Sequence, residues 1–213
     1  MPRNATDTRQ RLIDAGRELF ARSGVYTTSS KAVIDAAGQR NTSALQYHFG
    51  GREGLLSAII DEANAGIEAE REVLLDAATQ PISLAVLVDA VVLPQARLLH
   101  NAEGRQFLSI VSQLSDLFDR WEQPDAAPPQ ALRAFRAIQA VLPGDLNEAL
   151  RHERVTRFLE LISEALGSRA RMLEAGRSPA LAHEVWVANL AAMAVGALRA
   201  DSAVSPSTTT GSF

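Results

Sequence analysis

The residues best suited to chemistry lie in a short segment bounded by glycines, AAGQRNTSALQYHFGG, which spans residues 36–51. Within it, an amide, a phenol and an imidazole stand side by side at Gln46, Tyr47 and His48. An amide side chain can reach base edges in a nucleic-acid groove, and a tyrosine hydroxyl can donate a hydrogen bond to a phosphate without carrying a charge. The segment is therefore suited to polar recognition, provided that the surrounding elements hold these side chains outward.

Two helices are predicted before this segment. Apolar residues recur at helical spacing over residues 8–23, and Gly24 follows at a position where helices commonly end in a left-handed turn. Thr28 and Ser29 are candidate N-caps for a second, shorter helix over residues 30–37. We expect the apolar faces of both helices to support the polar segment.

A third helix is predicted over residues 42–49. Leu45 and Phe49 are four residues apart, so both can pack onto the first two helices. Two short helices that join at Gly38, the second with a polar outer side, form a helix-turn-helix, whose second helix enters a DNA major groove. The side chains expected on the outer face are Thr42, Ser43, Gln46 and Tyr47.

Composition and charge agree with a helical protein that has a basic end. The chain has 213 residues, of which 46% are hydrophobic and 5% aromatic, and it has no cysteine, which excludes disulfides and thiolate metal sites. Residues 1–52 hold eight Lys/Arg and four Asp/Glu, a charge of +4, whereas residues 53–213 hold 13 and 21, a charge of −8. We expect the basic end to meet a polyanion.

The remaining chain predicts helices and no strand. Pro94 is expected to kink one of these helices, and Asp145 with Glu148 three residues later has the pattern of a capping box. The sequence therefore predicts an all-α protein. Its further helices are expected over residues 52–76, 81–100, 103–121, 129–142, 145–172 and 179–199.

The first 56 or so residues resemble the tetracycline-repressor (TetR) family of bacterial regulators. Four elements carry the resemblance: RLIDAGRELFARSGVYTTS, the AAG turn, YHF, and REGLL at the start of the next helix. The rest of the chain resembles the family in helix layout. Two features differ: the GQRN turn is one residue longer than usual, and Ser30 replaces a customary apolar residue.

The resemblance implies three regions and a set of DNA contacts. It implies a helix-turn-helix domain over residues 1–51 and an effector-binding and dimerisation domain over residues 52–202, and residues 203–213 look like a disordered tail. His48 could instead pack beneath the third helix, and Arg52 could be a solvated charge at a helix start. The residues implied to contact DNA are Thr28, Ser29, Lys31, Arg40, Asn41, Thr42, Ser43, Gln46, Tyr47, His48 and Arg52.

In the larger domain, one helix carries the candidates for an effector pocket. Gln113 would be the polar group in an otherwise apolar wall, and the alternative is a filled core. The candidate wall residues are Phe107, Val111, Gln113, Leu114 and Phe118.

An enzyme is not expected, and neither is a metal or another cofactor. The His-Glu pairs in RHERV and AHEVW lack the second histidine that a zinc-binding helix needs, and there is no G-x-S-x-G elbow. Two alternatives stay open: a helical protein-interaction module whose basic end is incidental, and an activator or orphan DNA-binding protein without an effector.

The favoured hypothesis is a ligand-responsive transcriptional repressor that binds a palindromic DNA operator as a homodimer. A small, mainly apolar effector would release it by moving the helix over residues 52–76. The last two helices are expected to form the dimer, since Ala188, Ala192 and Gly196 permit close helix approach. We expect a cytoplasmic location without a membrane, because the N-terminus lacks a signal-peptide core and the apolar run at residues 185–198 is too short to span a bilayer.

Overall fold

A computed structural model describes residues 3–41, 43–123 and 126–201. All regular elements within these ranges are helical, which confirms the predicted all-α class. Predictions made for Thr42 and for the tail at 203–213 lie outside the described residues. The α-helices are α1 (Arg3–Ser23), α2 (Ser30–Ala36), α3 (Ala44–Phe49), α4 (Arg52–Asp76), α5 (Leu84–Arg97), α6 (Ala102–Val111), α7 (Pro129–Val141), α8 (Glu148–Glu174) and α9 (His183–Arg199). Two 3-10 segments, Leu98–His100 and Ser112–Arg120, follow α5 and α6.

The first three helices, which we call the head, enclose a small apolar core. Leu12 and Phe20 of α1 pack with Leu45 of α3, and α4 adds Leu55 to the same cluster. Gly16 permits this arrangement, because a Cβ atom there would lie 2.7 Å from Leu55 Cδ2. The start of α4 therefore belongs to the head's core, and α4 extends from there into the rest of the molecule.

The remaining helices, which we call the body, surround α5. This helix is apolar on most of its sides and continues past Pro94 to Arg97, after which the chain forms the first 3-10 segment. Phe107 of α6 and Phe158 of α8 are buried in the same cluster. A second 3-10 segment, Ser112–Arg120, replaces the latter part of the α-helix predicted over 103–121.

Local hydrogen bonds explain two boundaries that differ from the predictions. Asn41 Oδ1 accepts a hydrogen bond from Ser43 N at 2.9 Å, so a side-chain turn precedes α3 and the helix begins at Ala44. At α8, Asn147 Oδ1 accepts from Leu150 N at 2.9 Å. The predicted capping role of Asp145 is therefore wrong, and α8 begins three residues later than predicted.

Candidate DNA-binding surface and effector cavity

Helix α3 presents its polar side outward, as its residue pattern predicts. Ala44 and Leu45 are buried, whereas Ser43, Gln46 and Tyr47 are exposed, and Tyr47 is 81% exposed. A six-residue helix gains little from burying so few residues, and its position depends on the head around it. The outward face can therefore meet a partner while the buried side stays packed.

The turn before α3 adds further exposed polar groups. Gly38 has a φ of +65°, which glycine adopts without strain, and it ends α2 in a left-handed turn. Arg40 and Asn41 follow in exposed positions, and the Asn41 carbonyl group on its side chain is engaged with Ser43 N. This turn thus places the exposed Arg40 guanidinium shortly before α3.

The residues at the start of α2 divide into exposed and buried groups. Ser29 caps the helix, since its Oγ accepts a hydrogen bond from Ala32 N at 3.2 Å, and it is itself exposed. Lys31 is exposed and forms an ion pair with Asp35 at 2.5 Å. The side chains of both residues are therefore accessible to a partner.

Thr28 differs from its sequence-based prediction. It is only 6% exposed, and its Oγ1 donates toward Gly24 O at 2.7 Å, with Leu19 O at 3.3 Å. A hydroxyl engaged inside the head is not available to a phosphate. The prediction of a phosphate contact from the Thr28 side chain is therefore wrong, because the side chain closes the turn after α1.

The burial of His48 is intermediate between that of an exposed DNA contact and that of a side chain packed beneath α3. It is half-buried, its ring lies edge-on to Tyr47 with centroids 5.0 Å apart, and it is 6.2 Å from the Phe49 ring. The Arg9 guanidinium of α1 lies over the Phe49 ring, at 5.1 Å from its centroid. The imidazole therefore supports the exposed tyrosine while keeping part of its surface accessible.

Arg52 is engaged inside the head. Its Nε donates to Thr28 O at 2.9 Å, its guanidinium lies 5.4 Å from the Phe20 ring centroid, and its Nη2 is buried. These contacts fasten the first turn of α4 to the turn after α1. Arg52 therefore helps to position the head on α4, and the phosphate contact expected of it stays a prediction.

The body contains a cavity of about 270 Å³ between α4 and helices α5 to α8. Four of the five predicted wall residues line it: Phe107, Val111, Leu114 and Phe118. Trp121 and Phe135 extend this aromatic wall. A second hollow of about 460 Å³ beside α4 shares five lining residues with the cavity: Ile60, Asn64, Ala126, Ala127 and Pro128.

Gln113 does not line the cavity, so its predicted role is wrong. Its Oε1 accepts a hydrogen bond from Val25 N at 2.7 Å, and its Nε2 donates to Phe20 O at 3.2 Å and Ser109 O at 2.8 Å. The side chain thus connects the second 3-10 segment to the end of α1. Leu114 and Phe118 on the same segment line the cavity, whereas Gln113 is hydrogen-bonded to the head.

A second contact joins the same 3-10 segment to the head. Tyr26 Oη lies 3.2 Å from Asp116 Oδ1, and desolvation together with this carboxylate raises the pKa of Tyr26 above its ordinary value. Gln113 and Asp116 lie one helical turn apart and contact consecutive residues, Val25 and Tyr26. The second 3-10 segment therefore forms part of the cavity wall and is also hydrogen-bonded directly to the head.

Sequence reasoning missed the polar residues of the cavity wall. Ile60, Asn64, Ile67 and Arg71 of α4 all line the cavity, at spacings of four, three and four residues. This spacing in the sequence was the signal that could have identified Asn64 and Arg71. Gln95 and Ser163 complete the polar part of the wall, and they lie on different helices.

Arg71 is a buried, charged side chain that is hydrogen-bonded to both α4 and α5. Its Nη1 donates to Glu68, its Nε donates to Ala90 O at 3.1 Å, and burial lowers its pKa while Glu68 raises it. Glu68 also accepts a hydrogen bond from Gln130 N at 2.6 Å. This pair therefore ties α4 to α5 and to the start of α7.

No described helix is long and apolar enough to cross a membrane. Within residues 3–41, 43–123 and 126–201, no group of three or more His, Asp or Glu side chains is placed to hold a metal ion. The surface around α3 and the cavity in the body are thus the two candidate sites in the described part of the chain.

The family model for bacterial regulatory proteins of the tetR family matches residues 12–59. The matched segment makes up 48 of the 213 residues and is similar to this family. The match runs from Leu12 in α1 to Ile59 in α4, and both of these residues lie in the apolar core of the head. The match therefore covers the helix-turn-helix together with the part of α4 that packs against it.

The chain is also similar to a curated transcriptional regulator. The chain is 30% identical over 110 residues to the HTH-type transcriptional regulator UidR of Escherichia coli K12, and the alignment covers 52% of each chain. The chain thus spans about half the length of the curated relatives it matches.

Among solved structures, one with a TM-score of 0.50 shares the fold. The chain is similar to the probable transcriptional regulatory protein RHA5900, with a TM-score of 0.50, 15% identity, and coverage of 91% of this chain and 100% of that one. A TetR-family regulator from Streptomyces coelicolor has a TM-score of 0.46 and 18% identity, and the match covers 91% of this chain and 95% of that one.

Proposed function

We propose that the protein is a transcriptional repressor that binds a palindromic DNA operator as a homodimer and is released by a small effector in the body cavity. The observation that carries the DNA-binding part is the exposed polar face of α3, Ser43, Gln46 and Tyr47, on the second helix of a helix-turn-helix. A helix of this kind inserts into the major groove, where amide side chains can contact base edges. Such a protein would act in the cytoplasm.

In this proposal the exposed residues of the head divide into base and phosphate contacts. Gln46 is the candidate for a base edge, and Tyr47 donates its hydroxyl to a phosphate, helped by His48. Lys31 and Arg40 supply positive charge on the same surface. Ser29, Asn41, Ser43 and Thr42 are expected to lie at this interface, whereas Thr28 and Arg52 support it from inside the head.

The homodimer is supported by the exposed face of α9. Val185 and Met193 are 56% and 55% exposed, and the exposed small residues Ala188, Ala192 and Gly196 lie along the same side of the helix. An apolar face of this kind is stabilised by a partner, and two copies of α8 and α9 related by a two-fold axis would form a four-helix bundle. Sedimentation of a monomer at micromolar concentration would contradict this part of the proposal.

The effector is proposed to act through two elements that contact both the cavity and the head. Helix α4 lines the cavity with Ile60 and Ile67 and enters the head's core with Leu55. The second 3-10 segment lines the cavity with Leu114 and holds α1 through Gln113. A ligand that favours a different arrangement of this wall would change the spacing of the two heads and so weaken DNA binding.

Selection from a random pool of duplexes tests the DNA-binding function. We expect the full-length protein to enrich inverted half-sites whose centres lie about 34–36 Å apart or a multiple of that distance. Gln46→Ala should relax base preference at one or two positions, at about 1–3 kcal/mol for a good bidentate contact. Recovery of no motif, or of a single unrepeated half-site, would contradict the proposal.

A further inference from the structure

Two hydrogen-bond donors in the cavity wall have no partner among the described residues. Trp121 is 2% exposed and Ser163 is 6% exposed, yet neither the indole Nε1 nor the Ser163 Oγ makes a hydrogen bond there. Buried donors are nearly always satisfied, because an unmet donor retains the cost of losing water. Both residues line the same cavity, so a molecule inside it is placed to supply the missing acceptor.

The other polar side chains in the cavity wall either have hydrogen-bond partners or also line the outer hollow. Gln95 Nε2 donates to Val91 O at 3.0 Å, and Arg71 is bonded to Glu68 and Ala90. Asn64 belongs to both the cavity and the outer hollow, so it lies where the two meet. The buried donors without partners among the described wall residues are therefore Trp121 Nε1 and Ser163 Oγ.

The charges around the cavity favour an uncharged molecule. Arg71 is the one charged residue among the described wall residues, and its guanidinium is paired with Glu68, whose other oxygen is held by Gln130 N. A carboxylate entering this wall would lose its hydration and would approach Glu68, without finding an unpaired cation. A neutral oxygen avoids both costs.

The size and lining of the cavity limit the rest of the molecule. Its volume of about 270 Å³ exceeds the roughly 150 Å³ of a cavity that encloses benzene, and approaches the lower limit of about 300 Å³ for drug-sized ligands. By proportion to benzene, it accommodates about ten non-hydrogen atoms. The aromatic rings in the wall are those of Phe107, Phe118, Trp121 and Phe135.

We propose that this cavity binds an uncharged, mainly apolar molecule of about ten non-hydrogen atoms whose oxygen accepts hydrogen bonds from Trp121 Nε1, Ser163 Oγ or both. An aromatic or aliphatic ketone represents this chemical class. The inference rests on the proposed function in that it assigns the chemistry of the effector site. Its test, however, measures binding to the cavity and needs no DNA.

Isothermal titration calorimetry of the full-length protein with three matched probes makes the test. Butyrophenone has the ketone oxygen, butylbenzene lacks it, and phenylbutyrate replaces it with a carboxylate on a similar frame. We expect butyrophenone to bind about three to ten times more tightly than butylbenzene, the range for one net hydrogen bond, and phenylbutyrate to bind most weakly. In a Trp186→Phe variant, Trp121 is the remaining tryptophan of the chain, and its emission should change on binding.

Two variants assign the preference to the named donors. Ser163→Ala and Trp121→Phe together should remove the advantage of the ketone over the hydrocarbon, and at least one of them alone should reduce it. Thr156→Val is the matched control, because Thr156 lies on the same helix α8 with a buried, unpartnered hydroxyl but does not line the cavity. The control should keep the wild-type ratio of affinities.

Four results would overturn the inference: no probe binds, butylbenzene equals butyrophenone, phenylbutyrate binds most tightly, or the double variant keeps the ketone preference. The proposed function fails in a different way. If the probes bind in the expected order but the protein selects no duplex, the cavity inference stands and the regulator proposal falls. If the protein selects a palindrome but the probes bind in the wrong order, the reverse holds.

Discussion

The head and the body place their polar side chains in opposite ways. In the head, Gln46 and Tyr47 project from a short helix whose other side is buried. In the body, Arg71, Trp121 and Ser163 are buried at the wall of a cavity. An exposed polar group can be replaced with little effect on folding, whereas a buried one affects both stability and binding. Mutations in the two regions should therefore have effects that can be separated.

The largest expected effect is on the stability of the body. Phe158 is 2% exposed in the body core, so Phe158→Ala removes a large buried side chain and leaves a cavity. We expect the free energy of unfolding to fall by about 3–5 kcal/mol, measured by urea denaturation. A loss below about 1 kcal/mol would mean that the body is not packed around α8 as described.

Loss of the contact between the body and the head should come next. Gln113→Leu keeps a similar side-chain volume but leaves Val25 N, which belongs to a buried residue, without its acceptor. We expect a loss of about 1–3 kcal/mol in stability and a weaker response of DNA affinity to the cavity ligand. Gln113→Glu retains an acceptor for Val25 N and should lose less. If Gln113→Leu leaves the ligand response intact, the coupling does not pass through this side chain.

Arg52→Ala tests whether this side chain stabilises the head or contacts a phosphate. Arg52→Ala removes the hydrogen bond to Thr28 O and the contact with Phe20, and should reduce stability by about 1–2 kcal/mol. Because the guanidinium is engaged inside the head, the salt dependence of DNA binding should stay the same. Arg22→Ala, on an exposed residue in α1, is the control and should change stability by less than about 0.5 kcal/mol. A salt slope lower by about one unit in Arg52→Ala would instead assign Arg52 to a phosphate.

Tyr47→Phe should change DNA binding without changing the fold. The ring stays in place and only the exposed hydroxyl is lost, so we expect stability within about 0.5 kcal/mol of the parent. Affinity for the selected duplex should fall by about three- to tenfold, measured by fluorescence anisotropy, because one phosphate hydrogen bond is removed. Unchanged affinity would remove Tyr47 from the proposed interface.

The smallest effect concerns pH and the body. Burial, followed by the nearby His100, lowers the pKa of His183 from its ordinary value, with Arg169 acting in the same direction and Glu184 against it. The unfolded state then binds the proton more readily than the folded state, so stability should decline as the pH falls through about 6.5. His183→Gln should flatten this part of the urea-midpoint profile, and an identical slope in both proteins would exclude His183 as the cause.

Sequence alone predicted the two regions unequally well, for physical reasons. Helix α4 was predicted with its observed bounds, Arg52–Asp76, and the outward position of Gln46 and Tyr47 followed from helical spacing around Leu45. Gln113 could not be placed, because its partners, Val25 and Phe20, are about ninety residues away in the chain. Such contacts depend on how helices meet, and the spacing of residues within one helix does not contain this information.

The same limit explains the boundaries that were missed. A side-chain bond at Asn41 shortens α3, and the continuation of α6 becomes a 3-10 segment where it contacts both the head and α8. The residues of the cavity wall come from five helices, the second 3-10 segment and the loop between that segment and α7, so their convergence appears only in the folded chain. Residue spacing therefore predicted the candidate site that lies on one helix, the α3 face. It was not sufficient to predict the cavity, which several helices form together.

The central claim is that the cavity and the α3 face are energetically coupled through α4 and the second 3-10 segment. The most direct measurement is a pair of titrations: the selected duplex against the protein at increasing butyrophenone, and butyrophenone against the protein with and without duplex. Because coupling between two binding sites is reciprocal, the ketone should weaken duplex binding by the same factor by which the duplex weakens ketone binding. Saturation of the cavity with no change in duplex affinity would contradict the account.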